Sequence, residues 1–330
     1  MNLSDEIITP EKIRQLAASF QQSRVLLTAI ELNLFTVIDN HLITSKEVSE
    51  KINIDERATD RIMNALTAMG FLRKTKNKFY NEQHSKEFLV EGKPGYMGGL
   101  RHTANLWHNW TSLTAAVKKG SCVKENPGER DEQHWESFIA AMHSRGVSQA
   151  KILSYMLDFS NVHNILDVGG GSGAFSMSFV KSKPNITATV FDLPPVIPIA
   201  KRYVEEVGLT SSIKFIAGDY LEDSFAGKYD MLFLSAIVHI NSFDENKTLI
   251  KKCAEALNKG GQIVIQDFVM EDDRTSPALG TIFSLNMLVG TESGDTYTEK
   301  EITSWLADAG ITNCERKDTG FGTALIIGCK

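Results

Sequence analysis

The stretch Ile165-Leu166-Asp167-Val168-Gly169-Gly170-Gly171-Ser172-Gly173 decides how the rest of the chain is read. An apolar run ends in an acid, three glycines follow, and Ser172-Gly173 lead into a helical pattern from Ala174. That order is a strand, a tight turn and a helix start. Glycine permits positive φ and close approach of backbone to a ligand. The helix beyond the turn offers N–H groups that have no partner within the helix.

Two ligand classes fit such a turn. Gly169, Gly171 and Ala174 satisfy G-x-G-x-x-G/A, and Asp192 follows at about the spacing of a ribose-binding acid, so a nicotinamide dinucleotide and an oxidoreductase stay open. Asp167 opposes that reading, because a carboxylate beside the glycines repels a pyrophosphate. It suits a ligand with an ammonium group and no phosphate. S-adenosylmethionine carries an ammonium, a sulfonium and a ribose, and the turn is read as its seat.

Bulk properties narrow the class. The 330 residues are enough for two domains, and 42% hydrophobic with 23% charged residues is ordinary for a globular protein. A net charge of −6 argues against non-specific nucleic-acid binding. Cys122, Cys253, Cys314 and Cys329 lack C-x-x-C spacing and read as reduced thiols. The first residues lack a basic segment followed by an apolar core, and no apolar run approaches the roughly 20 residues that span a bilayer. The expected location is cytoplasmic, with no membrane partner.

From about residue 150 strands alternate with helices, the pattern of a parallel sheet with crossover helices. Strands are expected at 164–168, 187–191, 213–217, 229–235 and 262–268, with β segments near 312–317 and 323–329. Helices are expected at 174–182, 196–207, 244–257, 276–289 and 298–309. In open α/β sheets ligands sit outside the carboxyl ends of the strands. Asp167, Asp192, Asp219, Ser235 to His239, and Asp267 all fall there. Asp192 suits two ribose hydroxyls, since a carboxylate accepts two hydrogen bonds. Asp219 suits an adenine amino group, with Tyr220 stacked on the ring. His239 ends an apolar run; an imidazole titrates near neutrality and can take a proton from an attacking hydroxyl. Asp267 on the neighbouring strand is placed to hold its other nitrogen.

The N-terminal part reads as helix, helix, helix and ribbon. Helical spacing covers 11–39, broken near Asn33; Thr44 and Glu47 form a capping box before a helix at 48–52. Asp55 caps a helix ended by Gly70, and a β-ribbon turns across Thr75-Lys76-Asn77. This winged-helix pattern raises a regulator as a second alternative, with Arg61, Asn64 and Thr67 on the candidate recognition helix. The acidic chain and the attached cofactor domain argue against it. Between the two parts, a helix is expected at 98–117, a turn-rich break at 120–128 and a helix at 132–142. Phe138 and Met142 there suit a flat apolar pocket for a planar ligand. His102, His108, His134 and His143 are scattered without metal-ligand spacing, so no metal is expected.

At this point the chain resembles a known family, the class I S-adenosylmethionine-dependent O-methyltransferases of the caffeate, hydroxyneurosporene and acetylserotonin type. The likeness covers nearly the whole chain. It rests on Asp167 to Gly173, Phe191-Asp192-Leu193-Pro194, Gly218-Asp219, His239, Gly260-Gly261 and Tyr297-Thr298-Glu299-Lys300-Glu301. The resemblance implies an N-terminal winged-helix-like domain (1–95) that forms a homodimer instead of reading DNA. It implies a helical linker (96–150) contributing to the acceptor pocket, and a Rossmann-like seven-stranded donor-binding domain (151–330) whose last strand is antiparallel. Carried over by position, Asp167, Gly169 and Gly171 touch the methionine part, Asp192 the ribose, Asp219 and Tyr220 the adenine, and Ser235 the tail, with Leu193 and Gly218 also counted as cofactor-binding. His239 becomes the base and Asp267 its flanking acid, usually Glu in the family. Phe138, Met142, Phe283, Asn286, Met287 and Thr291 become the acceptor pocket. Two departures stand out: the loop after His239 is one residue longer than the family's, and Thr296 stands where a second flanking Glu is usual. They leave N-, S- or C-acceptors, or a relative that has lost methyl transfer, as further readings.

Overall fold

Thr44 and Asp55 each open a helix in the way their side chains predict. In the computed structural model, which describes residues 8–123 and 132–330, Thr44 and Glu47 make the reciprocal capping box of a helix, and Asp55 accepts from the Ala58 N–H at the next. The chain divides into two compact units at His108/Asn109.

The N-terminal unit runs α1 (Pro10–Ala18), α2 (Phe20–Glu31), α3 (Leu34–Ile38), β1 (Ile43–Thr44), α4 (Ser45–Ile52), α5 (Glu56–Ala68), β2 (Leu72–Thr75), β3 (Lys78–Asn81), α6 (Gln83–Phe88) and most of α7 (Leu100–Trp110). Asn33 takes φ +53 between α2 and α3, which is where the helical pattern was expected to break. Phe35, Met63, Leu66, Leu72 and Phe79 are fully buried at the centre of this unit. Each such side chain stabilises the fold by roughly 2 kcal/mol. Two of the ribbon's four cations are engaged within the unit: Lys74 meets Asp60 and Asn64, and Arg73 pairs with Glu82. In α1 no residue is buried, and Ile13, Leu16 and Phe20 are exposed.

The second unit continues with α8 (Leu113–Lys119), α9 (Glu132–Met156), β4 (Asn164–Val168), α10 (Ala174–Ser182), β5 (Thr187–Asp192), α11 (Ile197–Glu206), β6 (Ile213–Ala217), β7 (Tyr229–Ser235), α12 (Phe243–Ala256), β8 (Leu257–Asp267), β9 (Val269–Met270), α13 (Ala278–Gly290), β10 (Tyr297–Thr298), α14 (Glu299–Asp308), β11 (Thr312–Asp318) and β12 (Ala324–Cys329). Among the described residues its main sheet has seven strands in the order β11-β12-β8-β7-β4-β5-β6. The run from β8 to β6 is parallel, and β12 is antiparallel to both neighbours. β4 is the middle strand of that parallel run, with β5 on one side and β7 on the other. Chain direction across the sheet therefore reverses beside the glycine turn, where α/β sheets open a crevice.

Among the differences from the sequence reading, three have a clear local cause. The helix expected at 98–117 is two helices, because the Ser112 backbone N–H and hydroxyl both turn back to the Asn109 carbonyl. α9 runs on to Met156, since Gly146 faces Ala174 across a close helix contact and does not end the helix. β8 begins at Leu257, five residues earlier than expected; Gly260, at φ +78, is taken up as an irregularity in the strand. The turn expected around Asn126-Pro127-Gly128 lies outside the described residues.

Candidate active site

The carboxyl ends of five strands carry the polar residues. Asp167 lies within β4, Asp192 ends β5, Gly218 and Asp219 follow β6, Ser235 ends β7 and Asp267 ends β8. The glycine turn follows β4 with Gly169 at φ +64, and its N–H donates to the Phe191 carbonyl at 2.8 Å. A methyl group on Gly169 would stand 2.2 Å from Ile237 Cδ1, so neither the conformation nor the space admits a side chain.

Asp167 is 1% exposed, and its Oδ2 accepts from the Ser176 hydroxyl at 2.7 Å. Gly170 lies directly over it; a Cβ there would be 2.8 Å from the Asp167 Cγ. Its charge therefore sits beneath the turn and acts through its field. Burial pushes the Asp167 carboxyl up to about 6, against the Ser176 bonds that pull it down. Asp192 Oδ2 accepts from the Gly171 N–H and Oδ1 from the Leu193 N–H, both at 2.7 Å. Burial raises this carboxyl also to about 6, the two N–H donors opposing. Each oxygen of Asp192 keeps a second lone pair for a ligand. Among the described residues neither acid has a Lys, Arg or His partner. The two acids make this part of the crevice anionic, which suits a cationic group and opposes a pyrophosphate.

Asp219 Oδ1 accepts from the Leu221 N–H at 2.8 Å, and the Asp219 N–H donates to Asp223 at 2.9 Å. The Tyr220 ring leans over Gly169, and its hydroxyl donates to Asn241 Oδ1 at 3.0 Å. Burial raises the Tyr220 hydroxyl's pKa, so it stays protonated. Gly218 donates its N–H to the Asp192 carbonyl at 2.9 Å. The Leu193 side chain packs beside Ile139, Val196 and Ile199. The Ser235 hydroxyl donates to Gln266 Oε1, which places it next to β8.

His239 lies in a one-turn 3₁₀ segment, Val238–Ile240, just past β7. Its Nδ1 is 2.8 Å from Asp267 Oδ1 and 3.0 Å from Oδ2. The Phe268 N–H also donates to Asp267 Oδ1 at 2.8 Å, which fixes the carboxylate. The Phe283 ring meets the imidazole edge-on at 4.8 Å. The loop after His239 is pinned from several sides. Tyr297 donates to the Asn241 carbonyl at 2.6 Å, Asn241 donates to Asn246, and Asn246 donates to the Val238 carbonyl at 2.7 Å. Thr296 is buried, and its carbonyl accepts from Arg274; Asp295 pairs with that same arginine at 3.5 Å. Asp267 is thus the carboxylate seated on the His239 ring.

Of the expected acceptor residues, Phe283, Asn286 and Met287 share one face of α13, the face that meets His239 through Phe283. Trp110 Nε1–H donates to Asn286 Oδ1 at 3.0 Å. Thr291 is turned inward, its hydroxyl donating to the Met287 carbonyl and accepting from the Gly294 N–H. Phe138 and Met142 lie one turn apart on α9. Trp110, Asn241 and His143 were not picked out as site residues from sequence; each meets a partner far along the chain, which local spacing does not reveal. No cluster of three or more metal-ligating side chains occurs among the described residues, and no helix there is long and apolar enough to cross a membrane.

The O-methyltransferase domain family matches residues 114–312, and the O-methyltransferase dimerisation domain matches residues 14–91. The chain is 30% identical over 331 residues to the tetracenomycin polyketide synthesis 8-O-methyl transferase TcmO of Streptomyces glaucescens, covering 97% of each. It is 31% identical over 317 residues to the 3-hydroxy-5-methyl-1-naphthoate 3-O-methyltransferase of Streptomyces sahachiroi, covering 92% of this chain and 90% of that one. The solved structure of PigF with SAH shares the fold at a TM-score of 0.90 and 21% identity, over 98% of this chain and all of that one. With the domain match over more than half of its length, the dimerisation match over its N-terminal part and the 30% identity over 97% of a relative, the chain belongs to the O-methyltransferase family and is an S-adenosylmethionine-dependent methyltransferase.

Proposed function

We propose that the chain methylates a hydroxyl group on a small planar, aromatic acceptor, with His239 as general base. The observation that carries this reading is the His239–Asp267 pair. An ionised Asp267 on Nδ1 makes that nitrogen the donor and leaves Nε2 with its lone pair. Nε2 can then take the proton of an acceptor hydroxyl, and the imidazolium so formed is held by the Asp267 charge. When bound, S-adenosylmethionine supplies a methyl group on a sulfonium. The chain contributes position: Gly169 and Gly171 present backbone to the methionine part, Asp167 adds a negative field beneath it, Asp192 with Leu193 receives the ribose, Gly218, Asp219 and Tyr220 border the adenine, and Ser235 lies toward the tail. Phe138, Met142, Phe283, Asn286, Met287 and Thr291 enclose the acceptor, and the apolar bulk of Phe138, Met142, Phe283 and Met287 suits a flat ring. The naphthoate and polyketide acceptors in the relatives' names support this choice.

The same reading keeps 1–95 as the dimerisation domain, 96–150 as a linker to the acceptor pocket and 151–330 as the donor domain. The exposed Ile13, Leu16 and Phe20 of the first two helices suit burial against a second copy. No role for nucleic acid or membrane is included, and the proposed location is the cytoplasm.

The test is turnover of a panel of planar phenols, amines and thiols followed by product mass spectrometry, with wild type and His239→Ala. The reading predicts an O-methylated product from wild type. It predicts a loss of roughly a hundredfold or more in kcat for His239→Ala, with unchanged affinity for S-adenosylhomocysteine. Equal turnover by the two proteins would reject His239 as base.

A further inference from the structure

We propose that His143 is a positioning residue for the methyl donor: it anchors α9 to Ser172, and through Ser172 it holds the glycine turn in its binding conformation. The inference does not depend on the acceptor or on the base.

α9 crosses the turn with three residues at spacing i, i+4 and i+7, one face of a helix. Ile139 Cδ1 lies 3.8 Å from the place a Gly171 Cβ would take. His143 Nδ1 is 2.8 Å from Ser172 Oγ. A Cβ on Gly146 would stand 3.1 Å from the Ala174 Cβ. The outer two contacts are apolar and tolerate sliding. The middle one is a directional hydrogen bond with a narrow distance range. Ser172 is 3% exposed, so its hydroxyl has no ready access to water and depends on a protein partner.

The imidazole is itself held from behind. It stacks on Tyr203 of α11 with centroids 4.0 Å apart and planes at 21°. Arg202, adjacent to Tyr203, pairs with Glu136, two helical turns before His143 on α9. Burial lowers the pKa of His143, the Glu206 charge opposing, so the ring is neutral near pH 7 and adds no positive charge beside a cationic ligand. Two successive turn residues are thereby fixed from two different elements, Gly171 by Asp192 at the end of β5 and Ser172 by His143 of α9. Met142, adjacent to His143, ties the same helix to the proposed acceptor pocket.

Two variants separate the ring's two contacts. His143→Phe keeps an aromatic ring for Tyr203 and offers nothing to Ser172. His143→Asn puts a polar atom where Nδ1 stands and loses the stack. Calorimetry with S-adenosylhomocysteine should show His143→Phe weakened roughly five- to tenfold, the effect of one lost hydrogen bond, and His143→Asn within about twofold of wild type. The KM for the donor should rise in His143→Phe with little change in kcat. Wild-type affinity in His143→Phe overturns the proposal, and so does an equal loss in both variants, which would assign the effect to packing. If His143→Phe fails to fold by thermal melting, Ser172→Ala removes the same bond from the other side and must show the same weakening; wild-type affinity there overturns the proposal. His239 variants leave this binding measurement unaffected, so failure of the base assignment and failure of the anchor are told apart.

Discussion

His239 Nδ1 stands 2.8 Å from Asp267 Oδ1, and the pairing of β7 with β8 sets that distance. Ser235 and Gln266 are register partners on the two strands; Asp267 is one residue further on, and the 3₁₀ segment brings His239 back over it. The Phe268 N–H and, at 3.4 Å, the His239 N–H also point at the carboxylate.

Removing the charge while keeping the shape separates holding from polarising. Asp267→Asn should lower kcat for a hydroxyl acceptor by roughly ten- to a hundredfold, because the imidazolium loses its counter-charge. KM for the acceptor and affinity for S-adenosylhomocysteine should stay near wild type. Steady-state kinetics with both substrates varied checks this.

Donor binding should depend on pH in a stated direction. Asp167 and Asp192 are raised from the ordinary 3.8 to about 6 in the ligand-free fold. The folded state thus holds these protons more tightly than the unfolded chain does. Their contribution to ligand-free stability is present below pH 4 and is lost as pH rises through 6. A ligand with an ammonium group and ribose hydroxyls, which S-adenosylhomocysteine shares with the donor, favours the ionised acids, so binding below pH 6 must expel protons. Affinity should fall, by up to about tenfold per pH unit for each proton, as pH drops below 6. The thermal shift given by S-adenosylhomocysteine should therefore widen from pH 5 to pH 7, and calorimetry in buffers of different ionisation enthalpy should detect the released protons.

Gly169→Ala tests the turn itself. The substitution places a side chain at φ +64 and against Ile237. A loss of about 1–3 kcal/mol in stability is expected, together with weakened donor binding. Chemical denaturation gives the first and calorimetry the second.

Trp110→Phe tests the proposed acceptor wall. The indole has only a donor, so Asn286 must turn its oxygen to Trp110 and its amino group away. Losing that bond lets the amide flip. KM for an acceptor with a carbonyl or phenolate oxygen should rise roughly threefold to tenfold, while donor affinity is unchanged.

The sequence made legible whatever local pattern controls. Capping residues at Thr44 and Asp55, the Gly70 stop and the strand-end acids all follow from spacing along one segment. So did the meeting of His239 with Asp267, because two neighbouring strands ending at one edge bring their last residues together. The split after Trp110 was hidden because Ser112 competes for a carbonyl inside an unbroken apolar pattern. The length of α9 was hidden because a glycine there packs against another helix. His143 meets Ser172 across 29 residues and Tyr297 meets Asn241 across 56, and no periodicity records such pairs. Asp167 stands at the expected strand end, but its depth depends on Gly170 lying over it, which only the folded turn shows.

The dissociation constant of S-adenosylhomocysteine for wild type and for Asp192→Ala, measured by calorimetry at pH 7.5, tests the donor bed most directly. The account predicts micromolar-range binding by wild type and roughly a hundredfold or greater loss in the variant, since a ligand contact and the Gly171 tether go together. Equal affinity in the two proteins would contradict it.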